Sequence, residues 1–402
     1  MAAPHDDAMN PQLACRLLRV PVEIRHAIYD LVVPDEVHLA SRVNGEGAGI
    51  EWRVSECVEK RRKDIYDNGF ERRTENGSDV VWVRRLDSNW GPHWECEEVA
   101  GMGNREGVSK EKNVKGVEAA AGMAFLGVCK TMYLDVMSYM VERTVIHVVD
   151  LTTLECFLRI ANDHTTNPSA IKTSLASALP SIRKLNITMR FALPICEAIE
   201  KLATESTQIS GPPSPSPENE EGNEATEAAI NIAAATSWLQ LVPKIAQLTH
   251  LRTLHVWIDH DSKKSWTVVH ERAILSPLIR LANTSSPHLA LTVSLPMLHP
   301  GLETPDRHFL AYCTDCPFHI HRFVRQRWHH FRASDSGPIF DQRCLGTVKH
   351  EPDFPLTFES EGWEDCTFEQ CESRERELWK AGEDVRGLVK CMQTTTVHPG
   401  II

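Results

Sequence analysis

The sequence has no long hydrophobic run. No stretch approaches the roughly 20 apolar residues that cross a bilayer as a helix, so no membrane partner is expected. It also lacks an excess of positive charge: Lys and Arg total 43 against 55 Asp and Glu, a net charge of −12. That balance argues against nucleic acid as a partner. The opening residues, MAAPHDDAMNPQLAC, offer no basic segment followed by an apolar core, so no secretory signal is expected and the location expected is cytoplasmic or nuclear. Enzyme signatures are missing too, with no G-x-x-x-x-G-K-[ST] loop, no G-x-G-x-x-G after a strand, no H-E-x-x-H and no G-x-S-x-G elbow. The expectation is a non-enzymatic protein with no catalytic residue and no cofactor.

What is present is the composition of a folded chain. At 402 residues, 42% hydrophobic and 24% charged, the protein is globular, with room for two or three domains or one large domain carrying insertions. Twelve cysteines are scattered through it, most of them inside apolar patterns. Without a secretory signal they read as reduced thiols, many buried as small hydrophobes.

The chain is organised around Leu17 to Pro34, LLRVPVEIRHAIYDLVVP. Pro21 suits a helix start, where its missing N–H is not needed, and Glu23 falls where a carboxylate favours the positive end of the helix dipole. Ile24, Ile28 and Leu31 recur at i, i+4 and i+7 and draw one apolar stripe down the helix, and Pro34 stops it. A second strong helical pattern runs from Phe125 to Met140, with Phe125, Val128, Cys129, Met132, Tyr133, Val136, Met137 and Met140 on one face. Thr144 to Asp150 then turns to strand composition.

These two blocks carry a resemblance. Leu18 to Arg25 with Ile28-Tyr29 and Leu31 resembles the LPxEIRxxIYxxL opening of the fungal F-box-like family, with Val20 where leucine is usual. Leu126, Val128, Cys129, Lys130, Met132, Val136 and Thr144 to Val148 resemble that family's second block, with Asp135 where glutamate is usual. The resemblance implies an adaptor that docks onto a Skp1-like subunit of a cullin ubiquitin ligase and holds an unknown protein substrate. Leu18, Pro21, Ile24, Ile28 and Leu31 are the candidate partner-binding anchors. The insert between the blocks leaves no contiguous three-helix F-box, so the opening helix could be completed by the second block. The alternative is a self-contained interaction or structural domain without ligase association, with or without a small zinc-binding C-terminal segment.

The remaining organisation is read as four parts. Residues 1–40 are the F-box-like element, and 41–118 an inserted, partly disordered loop region rich in Gly, Asn, Arg, Glu and Lys, with possible short strands, one of them at Asp79 to Leu86. Residues 119–300 form an α/β body, in which Leu151 to Asn162 reads as a helix. Leu179 to Met189, Leu248 to Ile258 and Leu289 to Leu295 read as strands separated by helices at 194–204, 227–242 and 266–283. The leucine-led strand entries suggest a leucine-rich-repeat-like layer, but they lie farther apart than the about 20–29 residues of that repeat, so a doubly wound sheet stays open. An acidic, Pro- and Ser-rich loop interrupts the body at 210–226, with Ser214 and Ser216 as candidate phosphorylation sites. The fold class expected is α/β, with α+β possible.

Residues 301–402 read as a helical extension containing Cys and His. Cys313-Thr-Asp-Cys316, followed by His319, His321, His329 and His330, suggests zinc. Against that, Ile320, Phe323, Val324, Trp328 and Phe331 suggest a helical stripe with a basic opposite face and incidental cysteines. The sequence leaves both open.

Overall fold

A computed structural model describes residues 16–43, 50–58, 88–100, 130–162, 181–207, 222–262, 264–284, 288–310, 315–331, 346–352, 354–357, 366–385 and 394–397. Asp79 to Leu86, Ser214, Ser216 and Cys313 lie outside them.

The chain enters with a single turn, α1 (Arg16–Arg19), and α2 (Val22–Val32), with Pro21 immediately before its first residue. The Val33 N–H donates to Tyr29 O and closes the helix ahead of Pro34. β1 (Glu36–Val43) and β2 (Ile50–Glu56) form an antiparallel hairpin. The sequence reading placed the insert's start here. The alternation of Ile50, Trp52 and Val54 is nevertheless that of a strand. A 3-10 turn at Gly91–His93 leads into α3 (Trp94–Ala100), so the 41–118 region holds helical segments as well as β2.

Next come α4 (Lys130–Arg143), β3 (Val145–Val148), α5 (Leu151–Asn162) and β4 (Lys184–Phe191). They are followed by α6 (Leu193–Thr207), α7 (Gly222–Leu239), α8 (Leu241–Ile245), β5 (Thr253–His260), α9 (Glu271–Ile274), α10 (Ser276–Thr284) and β6 (Ala290–Pro296). The class is α/β. Gly222 already lies in α7, so the acidic loop ends before Thr226.

Beyond residue 300 the helical reading is corrected. β7 (His319–Phe323) and β8 (Gln326–Phe331) are strands, and β8 joins β9 (Gly346–Pro352) and β10 (Thr394–Val397) in a small antiparallel sheet. One helix of this part, α11 (Phe368–Lys380), is started by a Thr367–Gln370 capping box. Ile320, Phe323 and Val324 mimic helical spacing because they lie on opposite faces of β7 and just past its end: Ile320 packs on the main core, while Phe323 stacks on Trp257 at 5.1 Å.

The main sheet has seven strands in the order β2-β1-β3-β4-β5-β6-β7, parallel except for the hairpin. The parallel strands follow chain order without reversal, unlike a doubly wound sheet with its switch point. Successive right-handed crossovers stepping one way place the helices on one face. The core agrees. Leu39, Val148, Leu185, Ile187, Leu254, Val256, Leu291 and Val293 on alternate strand positions meet Leu154, Phe157, Ile199, Trp238 and Leu278 from the helices in one cluster.

The opposite face is polar. One register row runs His38, His147, Asn186, His255, Thr292, His319 across six strands. At the β1–β3 end this face is roofed by residues 88–100. Ser88 O accepts from Arg190 Nη1 at 2.7 Å, and Gly91 lies against the Trp257 ring. Gly91 has φ +54°, and a Cβ there would sit 2.6 Å from two ring carbons. Gly91→Ala should therefore destabilise the protein by about 1–3 kcal/mol in urea unfolding, through backbone strain and displacement of the ring. An unchanged midpoint would show that the roof does not bear on Trp257.

Candidate functional site

The two sequence blocks meet in space. α2 lies on α4, and the side chains that join them were within reach of the sequence only as letters 110 positions apart. The Asp135 carboxylate accepts from Arg25 Nε at 2.8 Å, from Arg25 Nη2 at 3.2 Å and from the Tyr29 hydroxyl at 2.6 Å. Arg25 Nη1 also donates to Leu18 O and Val20 O, folding the turn before the helix onto it. Tyr139 donates to Asp30, and Thr144 Oγ1 to Pro34 O at 3.1 Å. Burial, then the bond to Asp135, pushes the Tyr29 phenol well above its ordinary value, so it remains a donor. Around these bonds Tyr29, Val33, Met132, Val136 and Tyr139 form a small core of their own, with Leu17, Leu18 and Ile28 packed at its edge.

The five candidate anchors are thus divided. Leu18 and Ile28 are half-buried against this small core, whereas Pro21, Ile24 and Leu31 are exposed. Ile24 and Leu31, with exposed Ala27 between them, lie on the side of α2 turned away from Tyr29 and α4.

Of the C-x-x-C, Cys316 alone lies among the described residues. Cys316 Sγ donates to Phe318 O at 3.2 Å and packs on the main core, and burial raises its thiol above the ordinary value. His319 and His321 alternate with Ile320 and Arg322 along β7.

A different set of ligand-type side chains does converge, under the roof on the polar sheet face. His38 projects from β1, Cys57 follows β2, His93 ends the 3-10 turn, and Cys96 sits one turn on in α3. One nitrogen or sulfur of each lies within 4.8 Å of all the others. The Cys57 and Cys96 sulfurs are 3.8 Å apart, and His93 Nδ1 is 3.6 Å from the first and 4.0 Å from the second. The His38 ring centroid is 4.7 Å from His93 and 4.8 Å from His147, whose Nε2 is 3.0 Å from Glu36 Oε2. Burial lowers His38 to about 3, helped by neighbouring His147, and lowers His93 to about 4, so both rings are neutral near pH 7.

Sequence reasoning passed over this cluster because its members come from a strand, a strand end and the insert. The only local signal is His93-x-x-Cys96 after Gly91-Pro92.

No helix among the described residues is long and apolar enough to cross a membrane. No curated protein and no solved structure matches the chain. A family model does: residues 10–300, from the α2 element through β6, match the one described as Domain of unknown function (DUF7730), and the match stops short of β7, the last strand of the sheet. With most of its length matched, the chain belongs to the DUF7730 domain family.

Proposed function

We propose that the protein is a non-enzymatic adaptor that docks a partner protein on the outer stripe of α2. The observation that carries this reading is the division of that helix. Tyr29 is fully buried against α4, while Ile24 is 52% and Leu31 85% exposed on the far side. Two large apolar side chains at i and i+7 on one exposed helix face, with Ala27 between them, form a stripe that a helix-binding groove can cover.

The resemblance of the opening and second blocks to the F-box-like family suggests the occupant, a Skp1-like subunit of a cullin ubiquitin ligase. The α/β body would then hold the protein to be modified. Pro21, Ile24 and Leu31 are the contacts on which this rests, with Ile28 at the margin and Leu18 beneath.

The test is co-purification of the full chain with a Skp1-like protein, compared with an Ile24→Asp, Leu31→Asp double variant. Both substitutions fall on solvent-exposed positions, so the fold should persist. Loss of two anchors should weaken binding at least about tenfold. Equal capture by the variant, or no capture by the wild type, ends the docking reading.

One observation favours the second reading, a self-contained interaction domain. α2 is pinned to α4 by Arg25, Tyr29 and Asp135 and continues directly into β1, so it is part of the body rather than a separate module.

A further inference from the structure

We propose that His38, Cys57, His93 and Cys96 bind one structural zinc ion that fastens the roof of residues 88–100 to the β1–β3 end of the sheet. The distances are those of a coordination polyhedron before any ion is placed. With Zn–S of about 2.3 Å and Zn–N of about 2.05 Å, a regular tetrahedron has sulfur–sulfur edges of about 3.8 Å and sulfur–nitrogen edges of about 3.6 Å. The three edges among Cys57, Cys96 and His93 measure 3.8, 3.6 and 4.0 Å. Ordinary core packing does not call for two sulfurs and an imidazole nitrogen at these separations.

The fourth vertex is supplied by His38, and an independent observation points there. His38 is 1% exposed, and neither of its ring nitrogens has a hydrogen-bond partner among the described residues. A buried imidazole with two unmade bonds is costly, and a metal bond would satisfy the nitrogen facing the cluster. Thiolates and imidazoles in a Cys2His2 set suit zinc over magnesium or calcium, which take oxygen. All four vertices are protein atoms, and Trp90, Val149 and Ala40 close in around the cysteines, so the site is of the closed, structural kind. His147 and Glu36 stand beside it as a hydrogen-bonded histidine–carboxylate pair, of the sort that buttresses metal ligands.

The ligands also explain the architecture. Cys57 and His38 belong to the β1–β2 hairpin, His93 and Cys96 to the roof, and the segment between residues 58 and 88 separates them. An ion held by both would join Cys57 and His38 to His93 and Cys96 at the edge of the sheet. This inference is independent of the docking reading.

The experiment is elemental analysis of the full-length chain purified without a histidine tag or chelator. About one zinc per chain is expected. The Cys57→Ser, Cys96→Ser variant should lose it, and the Cys313→Ser, Cys316→Ser variant should keep it. Should the first variant fail to fold, the wild type still decides: cobalt exchanged for zinc should give the thiolate charge-transfer and visible bands of a tetrahedral site with two sulfurs. Absence of both zinc and cobalt uptake, a Cys57–Cys96 disulfide in the native protein, or zinc that survives loss of Cys57 and Cys96 but not of Cys313 and Cys316 would each overturn the proposal.

Discussion

Replacing Glu271 by alanine is expected to cost about 3–5 kcal/mol of stability, because it strips a buried ion pair of one partner. Glu271 is fully buried at the start of α9. One carboxylate oxygen accepts from Trp266 Nε1 at 2.7 Å and from Arg322 Nη1 at 2.5 Å. The other accepts from the Phe309 backbone N–H at 2.9 Å and from Arg322 Nη2 at 2.9 Å. Arg322 stands on β7 opposite Leu295, facing the helix side of the sheet, and donates further to Phe309 O and Pro296 O. The carboxylate is thus what permits a guanidinium inside that layer and fastens β7 to α9.

Alanine would leave Arg322 without its counter-charge and two buried N–H groups without acceptors. Glu271→Gln, which keeps an acceptor, should cost less. The check is urea unfolding of both variants, and a cost below about 1 kcal/mol for alanine would mean that the pair is not what secures the last strand. Arg325 makes a parallel anchor a few residues on. It holds Asp259 at 2.6 Å and donates to the carbonyls of His260, Ser262 and Lys264. Residues past the end of the family match are therefore built into the sheet by charge.

How much of this could be read in advance follows from the range of each signal. The helix at Leu151 to Asn162 was legible because its apolar spacing is local and one-sided, and it is found as α5. β4, β5 and β6 were legible because alternation survives in Leu185-x-Ile187-x-Met189, Leu254-x-Val256-x-Ile258 and Leu291-x-Val293-x-Leu295. Their order was not, since nothing in a strand's own letters says which neighbour it pairs with. β7 differs from the helical reading because Ile320 and Phe323 fall on opposite faces of a five-residue strand, too short for its period of two to show, and with Val324 beyond its end they imitate i, i+3, i+4.

The candidate sites divide in the same way. Ile24 and Leu31 could be named from one helix, but that Leu18 and Ile28 turn inward depends on α4. The His/Cys cluster needs four separate elements to become visible. Cys313-x-x-Cys316 is visible in the sequence because its spacing is compact, and Cys313 lies outside the described residues.

Asp135 supplies the second large effect, and a sharper test of α2. Alanine there removes the acceptor for Tyr29, a fully buried side chain whose other near partner is Met132 Sδ at 3.5 Å, and leaves Arg25 bonded only to carbonyls. A buried hydroxyl left short of an acceptor costs about 1–3 kcal/mol, and losing a hydrogen bond to a charged group about 1.5–3, so roughly 2.5–6 kcal/mol is expected for the two together. The loss should be local. The small core of Tyr29, Val33, Met132, Val136 and Tyr139 is separate from the main one, so hydrogen exchange should quicken along Val22 to Val33 while β4 and β5 keep their protection.

Asp135→Asn, which still accepts from Tyr29 but lacks the charge for Arg25, should fall between wild type and alanine. If the outer stripe docks a partner, Asp135→Ala should also weaken capture although Ile24 and Leu31 are untouched, because a frayed helix must be reordered to bind. Unchanged exchange along α2 would show instead that apolar packing alone fixes the helix, and that Arg25, Tyr29 and Asp135 are bystanders to its position.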